Sequence, residues 1–352
     1  MTQFYPLVVN RIKRETEKAV CISFEIPAHL KSAFSFIAGQ YLTLRTNING
    51  EEIRRAYSIC ASPNSGLLQI AVKEIENGRF STYLNRKLQV HDIIEVAPPQ
   101  GRFTFEPNSA APKTIAAFAA GSGITPIMSI AKSVLEHEAH SRFVLVYGNK
   151  TPEDMIFLEA ILELQAQYSE RFKLQNVFSQ VENKNALYGR IDKSTVNFIL
   201  QNTFKEHTID TFYLCGPEAM IDTVSETLKS QGFDAYQINF ELFTQPLKDT
   251  VDSALIVPSG ATEITVIVDD DEDTFTMAQT TNILEASLDE GIDAPYSCQG
   301  GICSSCIARV IDGTATMRQN NILTDNEVAE GLILTCQAYP TSEQLTVDYD
   351  DV

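Results

Sequence analysis

Apolar and polar residues alternate in short runs over the first third of the chain. FYPLVVNRI, AVCISFEI, QYLTLRT, AYSICAS, LLQIAVKEI and DIIEVAPP are separated by the turn pairs Ala38-Gly39, Asn49-Gly50, Pro63-Asn64 and Asn77-Gly78. Alternation of period two marks half-buried strands, and such pairs mark reversals. Residues 1–108 are therefore predicted to fold as an antiparallel barrel or sandwich.

From 109 to 243 the pattern changes. The apolar strand TIAAFAA meets Gly121-Ser122-Gly123 and then a helix with Pro126 in its first turn and Ile127, Ile130, Ala131 and Val134 near one face. Strand FVLVYG, helix PEDMIFLEAILELQAQY, strand FKLQNVFS, helix STVNFILQ, strand TFYLCG, helix PEAMIDTVSETLKSQG and strand YQINFELF follow. Alternating strands and helices predict right-handed βαβ units on a doubly wound, mostly parallel sheet. Residues 244–262 have no periodicity and hold two prolines, so they read as a linker. Over 263–352 the chain reads as a hairpin (EITVIV, DDDED, TFTM), a short helix NILEASLDEG, a cysteine-rich loop, strand CIARVI, a turn at Asp312-Gly313 and a last strand LILTCQA. A small sheet crossed by one helix is a β-grasp pattern. DDDED is expected to be a charged hairpin tip.

Four cysteines give this last segment its chemistry. Four residues separate Cys298 from Cys303, two separate Cys303 from Cys306, and Cys336 follows after twenty-nine more. This is the plant-type spacing that wraps one [2Fe–2S] cluster. Thiolates also suit zinc, but a zinc site usually groups its ligands as two close pairs, whereas Cys336 stands alone. Gly300 and Gly301 leave little bulk between the first two ligands, so backbone amides can approach cluster sulfides. Cys21 and Cys60 read as core residues, and the five histidines are scattered without metal-ligand spacing.

Charge sharpens the picture further. The chain of 352 residues is 44% hydrophobic and carries a net charge of −19. Residues 263–352 hold 18 acidic side chains against Arg309 and Arg318, a net −16, whereas the rest holds 28 acidic against 25 basic. Such a surface argues against nucleic acid as a partner. It suits either plain solubility or steering onto a basic electron acceptor. No apolar run is long enough to span a bilayer, and the N-terminus lacks the apolar core of a secretory signal. A reducing, cytoplasmic location is expected.

Smaller motifs remain. In Arg55-Ala56-Tyr57-Ser58 the arginine can pair with phosphate, the tyrosine can stack on a flat ring and the serine can bond a ring nitrogen. Asn77-Gly78-Arg79-Phe80-Ser81-Thr82 reads as a turn opening a short helix, whose free amides suit a pyrophosphate or simply cap a barrel. Gly121-Ser122-Gly123-Ile124-Thr125-Pro126 lies where a parallel strand hands over to a helix, the ligand-binding edge of such sheets. Cys215-Gly216-Pro217 ends a later strand at that edge; Cys215 is either inert core or a small side chain beside a nicotinamide ring.

Taken in order, RAYS, GRFSTYL, GSGITP, CGPEAM and FELF resemble the ferredoxin–NADP⁺ reductase superfamily, and the C-terminal segment resembles plant-type ferredoxins. The order flavin, nicotinamide, cluster resembles the reductase components of bacterial oxygenases. The stretch MRQNNILTDNEVAEGLILTCQAYP resembles those serving phenylacetyl-CoA epoxidases, although reductases of steroid hydroxylases and hybrid cluster protein share much of it. The resemblance implies an FAD-binding β-barrel (1–108), an NAD(P)-binding α/β domain (109–243), a linker (244–262) and a β-grasp [2Fe–2S] ferredoxin domain (263–352). By motif, Arg55 with Ala56 would hold the flavin pyrophosphate, Tyr57 would stack on the isoalloxazine and Ser58 would bond its N5 region. Gly78, Ser81 and Thr82 would complete the diphosphate site. Gly121, Gly123, Thr125, Pro126, Gly216 and Pro217 would hold the nicotinamide nucleotide, with Cys215 near the hydride path. Glu241 and Phe243 would approach the flavin, which makes Ser58, Cys215 and Glu241 the expected catalytic residues. Plant reductases end in an aromatic residue after that strand, whereas this chain continues, so the motif leaves the shield of the flavin face unassigned.

Ser179-Gln180 stands where NADP enzymes of the family often have Ser-Arg; Arg190 could supply the cation and Ser179 a hydroxyl. No acidic residue sits there to grip the ribose, so NADPH is expected, with NADH as the alternative. Electrons would pass from NAD(P)H through FAD and the cluster to an oxygenase, such as the diiron phenylacetyl-CoA epoxidase, docking at the acidic C-terminal domain. A small quinone, a steroid hydroxylase or hybrid cluster protein are the alternative acceptors. A zinc-bound interaction module without redox activity is the alternative from another class.

Overall fold

The computed structural model describes residues 3–108, 111–202, 208–243 and 260–352. They fall into two compact units, one of residues 5–53 and 57–243, the other of 260–352 with residues 3–4 and 54–56. Apart from its last three residues, the stretch read as a linker lies outside the described residues.

The first sheet contains β1 (Tyr5–Thr16), β2 (Ala19–Glu25), β3 (Tyr41–Ile48), β4 (Glu51–Ser58), β5 (Leu68–Lys73) and, after helix α1 (Arg79–Arg86), β6 (Ile93–Val96). Its order is β4-β3-β6-β1-β2-β5. An antiparallel bridge from Ile59 to Ile70 brings the end of β4 beside β5, so the sheet closes as a barrel and not as a sandwich. Leu7, Ile22, Leu42, Leu44 and Ile70 fill the interior, each wholly buried.

The second sheet is parallel throughout. It runs through β7 (Thr114–Ala120), α2 (Ile124–His137), β8 (Arg142–Asn149), α3 (Leu158–Gln167), β9 (Phe172–Phe178), β10 (Ala186–Tyr188), α4 (Lys193–Asn202), β11 (Thr211–Gly216), α5 (Glu218–Ser230) and β12 (Ile238–Leu242). The order β10-β9-β8-β7-β11-β12 is that of a doubly wound sheet, with β7 and β11 adjacent where the strand order reverses. The helix expected from Pro152 begins only at Leu158. Pro152–Asp154 forms a single separate turn, and Phe157 takes φ 64°, which a continuous helix cannot accommodate.

The third sheet contains β13 (Ala261–Val268), β14 (Asp271–Ala278), β15 (Ile307–Met317), β16 (Leu332–Leu334) and β17 (Ala338–Asp348), with α6 (Ile283–Asp289) and α7 (Asp325–Ala329) between them. Its order, β14-β13-β17-β15-β16, with β13 and β17 parallel, is the expected β-grasp. Three local readings change. Asp312-Gly313 is no turn: β15 runs through it as a bulge, with Gly313 at φ 84°. The acidic hairpin turns on Asp269 and Asp270 alone, both at positive φ, and Asp271–Asp273 already pair in β14. LILTCQA is not one strand; Thr335–Gln337 break it around Cys336, and the last strand is β17.

Candidate flavin, nucleotide and cluster sites

At the end of β4, Tyr57 is half-buried with its ring 6.0 Å from that of Phe80, and Arg55 is exposed with Nη1 donating to Arg54 O at 2.7 Å. Ala56 between them is half-buried. Ser58 is buried, and its Oγ donates to Glu241 Oε2 at 3.3 Å. Gly78 caps α1, where a Cβ would fall 2.6 Å from Ser81 Oγ and would have to push that hydroxyl aside. Ser81 accepts from Ile75 N–H at 3.1 Å and thereby fastens the preceding turn to the helix. A cleft of about 380 Å³ opens here, lined by Asn49, Asn77, Gly78, Arg79, Thr82 and Lys87 among others. Gly78 and Thr82, picked out by motif, line one cleft with Lys87 and with Arg79 and Arg86, which pair with Glu51 and Glu74.

The GSG turn follows β7 and packs directly on the end of β11. A Cβ on Gly123 would lie 2.0 Å from Cys215 O and 2.8 Å from Gly216 N, and one on Gly216 would meet Met220 and Ala120. Glycine at both positions is thus a packing requirement as well as a means of approach to a ligand. Gly121 takes φ 54°, its carbonyl accepting from Tyr147 OH at 3.1 Å, and Thr125 Oγ1 donates to Ser122 O at 2.9 Å. Pro126 lies in the buried first turn of α2, and Pro217 caps α5.

Cys215 and Glu241 are register partners across β11 and β12. Burial pushes the Cys215 thiol well up, so it is an uncharged, small side chain. Glu241 is half-exposed as a residue, but its carboxyl is the enclosed part: burial raises it to about 8, against a smaller lowering by the Ser58 hydrogen bond. Ser58, Cys215 and Glu241 therefore converge. Phe243, just beyond, packs against the adjoining core. Ser179 and Arg190 follow β9 and β10, whose register pairs Phe178 with Tyr188, so both stand at the same sheet edge. Ser179 N–H donates to Asn149 O at 3.0 Å, and Arg190 is exposed.

Sequence reading missed Lys73. Its Nζ lies 3.5 Å from where a Cβ on Gly121 would stand, and burial lowers its proton affinity. Nothing in LLQIAVKEI distinguishes this lysine from an ordinary strand terminus; only the fold carries β5 to the GSG turn.

In the third sheet's unit, Cys303, Cys306 and Cys336 are buried and Cys298 is half-exposed. Gly300 N–H donates to Cys298 Sγ at 3.3 Å, joined by the Ile302 and Cys303 amides, while Gly301 N–H serves Cys336. Gln299 and Gly301 at positive φ turn these amides inward. The thiols pair as Cys298 with Cys303 and Cys306 with Cys336; a hydrogen bond from Cys303 lowers Cys298 to about 6. Among the described residues no three His, Cys, Asp or Glu side chains converge as on a single ion. Paired sulfurs, each surrounded by backbone donors, fit a sulfide-bridged dinuclear cluster.

Three family models match the chain in succession: an oxidoreductase FAD-binding domain over 6–105, an oxidoreductase NAD-binding domain over 118–226 and a 2Fe-2S iron-sulfur cluster binding domain over 266–341. The chain is 38% identical to a component of the 1,2-phenylacetyl-CoA epoxidase of Escherichia coli K12 over 99% of each chain. It is 31% identical to the ferredoxin reductase component of Mycobacterium tuberculosis 3-ketosteroid-9-alpha-monooxygenase over 98% of this chain and 96% of that one. Phthalate dioxygenase reductase shares the fold, with TM-score 0.61 at 24% identity over 98% of both chains. The fold and sites thus define a three-cofactor oxidoreductase that uses FAD, a nicotinamide nucleotide and a [2Fe–2S] cluster. Within that class the chain belongs to the family of oxygenase reductase components that includes its relative in the 1,2-phenylacetyl-CoA epoxidase. Among the described residues no helix is long and apolar enough to cross a membrane.

Proposed function

We propose that this chain delivers electrons from NADPH to an oxygenase that acts on an arylacetyl-CoA thioester. The observation that carries this reading is the 38% identity with the epoxidase component, sustained over 99% of both chains. When bound, FAD accepts two electrons as hydride and releases them singly, and the cluster takes one at a time. The residues present serve that chemistry. Arg55, Ala56, Gly78, Ser81 and Thr82 hold the flavin's phosphates, Tyr57 and Phe243 contact its ring, and Ser58 hydrogen-bonds its reactive edge. Gly121, Gly123, Thr125, Pro126, Gly216 and Pro217 form the nucleotide cradle, with Lys73 as an added cation. Ser179 and Arg190 face the 2′-phosphate, supported by their shared sheet edge.

Cys215 is small, buried and uncharged, so it leaves room for the nicotinamide without competing for the hydride. Glu241 keeps its proton at neutral pH and stands beside the flavin edge, its carboxyl oxygen accepting from the Ser58 hydroxyl. Cys298, Cys303, Cys306 and Cys336 ligate the cluster. The domains run 1–108, 109–243 and 263–352, joined by 244–262, and the cytoplasm keeps the thiolates reduced. The oxygenase docks on the last domain, whose −16 charge suits a basic face.

Reconstitution tests this. The anaerobically purified chain, supplied with NADPH and the other purified components of a phenylacetyl-CoA epoxidase, is expected to support turnover. Support of a 3-ketosteroid monooxygenase with no turnover by the epoxidase would move the acceptor to the steroid class. Failure to reduce either would overturn the reading.

A further inference from the structure

Behind the cluster cysteines runs a buried hydrogen-bond chain that no motif explains. Tyr349, directly after β17, turns its ring into the core of the third sheet and is 6% exposed. Its backbone N–H donates to Ile267 O at 3.0 Å, which fixes the side chain's entry point. The hydroxyl donates to Thr335 Oγ1 at 2.9 Å, and that hydroxyl donates to the Cys306 carbonyl at 3.0 Å. Thr335 N–H reaches the same carbonyl at 3.0 Å, and Thr335 O accepts from Leu284 N–H of α6 at 3.2 Å. Thr335 is wholly buried and immediately precedes Cys336.

One chain therefore holds Cys306 by its carbonyl and Cys336 by its neighbour, and these two are one of the two thiol pairs. Ring packing alone needs no hydroxyl here; phenylalanine would fill the space. The oxygen is explained if a polar connection between the last strand and this cysteine pair is what the site requires. A buried network with all its members satisfied is rigid, and removing one hydroxyl loosens the groups it tied together. Its donors also point toward the cysteine backbone in a low-dielectric interior, where oriented dipoles favour added negative charge.

We propose that Tyr349 and Thr335 are positioning residues for the [2Fe–2S] centre. They hold the Cys306–Cys336 pair and so set how firmly the cluster is retained and at what potential it takes an electron. The inference rests on the reading that the four cysteines carry the cluster.

The test uses the full-length, anaerobically purified protein and three readouts: cluster loss to an iron chelator, the low-temperature EPR spectrum of the reduced centre, and its midpoint potential. Tyr349→Phe removes only the oxygen. It is expected to release iron about 10-fold faster, at the lower end of outer-shell effects, to shift the EPR g-values and to make the potential more negative. Thr335→Val should reproduce this, Thr335→Ser should match the parent, and Tyr349→Phe/Thr335→Val should be no worse than either single change. If Tyr349→Phe does not fold, the contrast of Thr335→Val with Thr335→Ser carries the test alone. Parental values of all three readouts in Tyr349→Phe and Thr335→Val would overturn the proposal. So would faster release that tracks lost domain stability with EPR and potential unchanged, since that is packing alone. Parent protein without iron and sulfide would overturn the cluster reading instead.

Discussion

Glu241 shows how one residue's surroundings decide its chemistry. Its carboxyl takes up a proton at about 8 in the fold, against an ordinary 4.5, because burial penalises the charged form. Between those values the folded chain binds a proton that the unfolded chain has lost, so stability from this group declines as pH rises from about 4.5 to about 8. Glu241→Gln abolishes that decline. In thermal unfolding, the variant is expected to gain on the parent as pH rises through this window; a parallel pH dependence of the two would contradict it. Gly123 is constrained by space: a Cβ would lie 2.0 Å from the Cys215 carbonyl, which is backbone and cannot swing away. Gly123→Ala is expected to cost about 3 kcal/mol, the upper end of overpacking, and to weaken NADPH binding measured by calorimetry. The sequence motifs located both residues, yet neither the raised proton affinity nor the contact with Cys215 could be read without the fold. Lys73 and Tyr349 lay outside any motif, because only tertiary packing carries them to a site.

Among the elements, strands and helices with strong periodicity were legible and local exceptions were not. The β-barrel, the parallel sheet and the β-grasp follow from alternation, from apolar runs and from their order along the chain. Asp312-Gly313 misled because a dipeptide that usually reverses a hairpin can also sit in a bulge, where glycine's positive φ serves a kink and not a return. β17 escaped notice since Pro340 and the polar run after it break the alternation, although its far end, LTVD, pairs in parallel with β13. Phe157 delayed the start of a helical pattern to Leu158 through a left-handed conformation that phenylalanine rarely adopts. Gly313 provides the element-scale prediction. A Cβ there would fall 2.2 Å from Gln344 O, on top of a φ of 84°. Gly313→Ala should destabilise the β-grasp by about 1–3 kcal/mol. On heating, the cluster absorbance is expected to bleach at a lower temperature while flavin release stays at the parental temperature; simultaneous loss of both would contradict this.

For the whole molecule, the sequence carries its charge asymmetrically, −16 over 263–352 against −3 elsewhere. If that asymmetry steers the acceptor, raising the ionic strength should slow electron delivery to the oxygenase through the association rate, while reduction of an uncharged small-molecule acceptor at the flavin keeps its rate. Insensitivity of oxygenase turnover to salt would leave the charge as a solubility feature. Electrons are expected to pass in the order nicotinamide, flavin, cluster, acceptor. Anaerobic stopped-flow of Cys303→Ser beside the parent, with NADPH as reductant, tests it most directly. In the parent, flavin bleaching is expected to be followed by reduction of the [2Fe–2S] absorbance. In the variant, flavin bleaching should persist at the parental rate with no cluster phase and no delivery to the oxygenase. Full oxygenase turnover by Cys303→Ser would contradict that order.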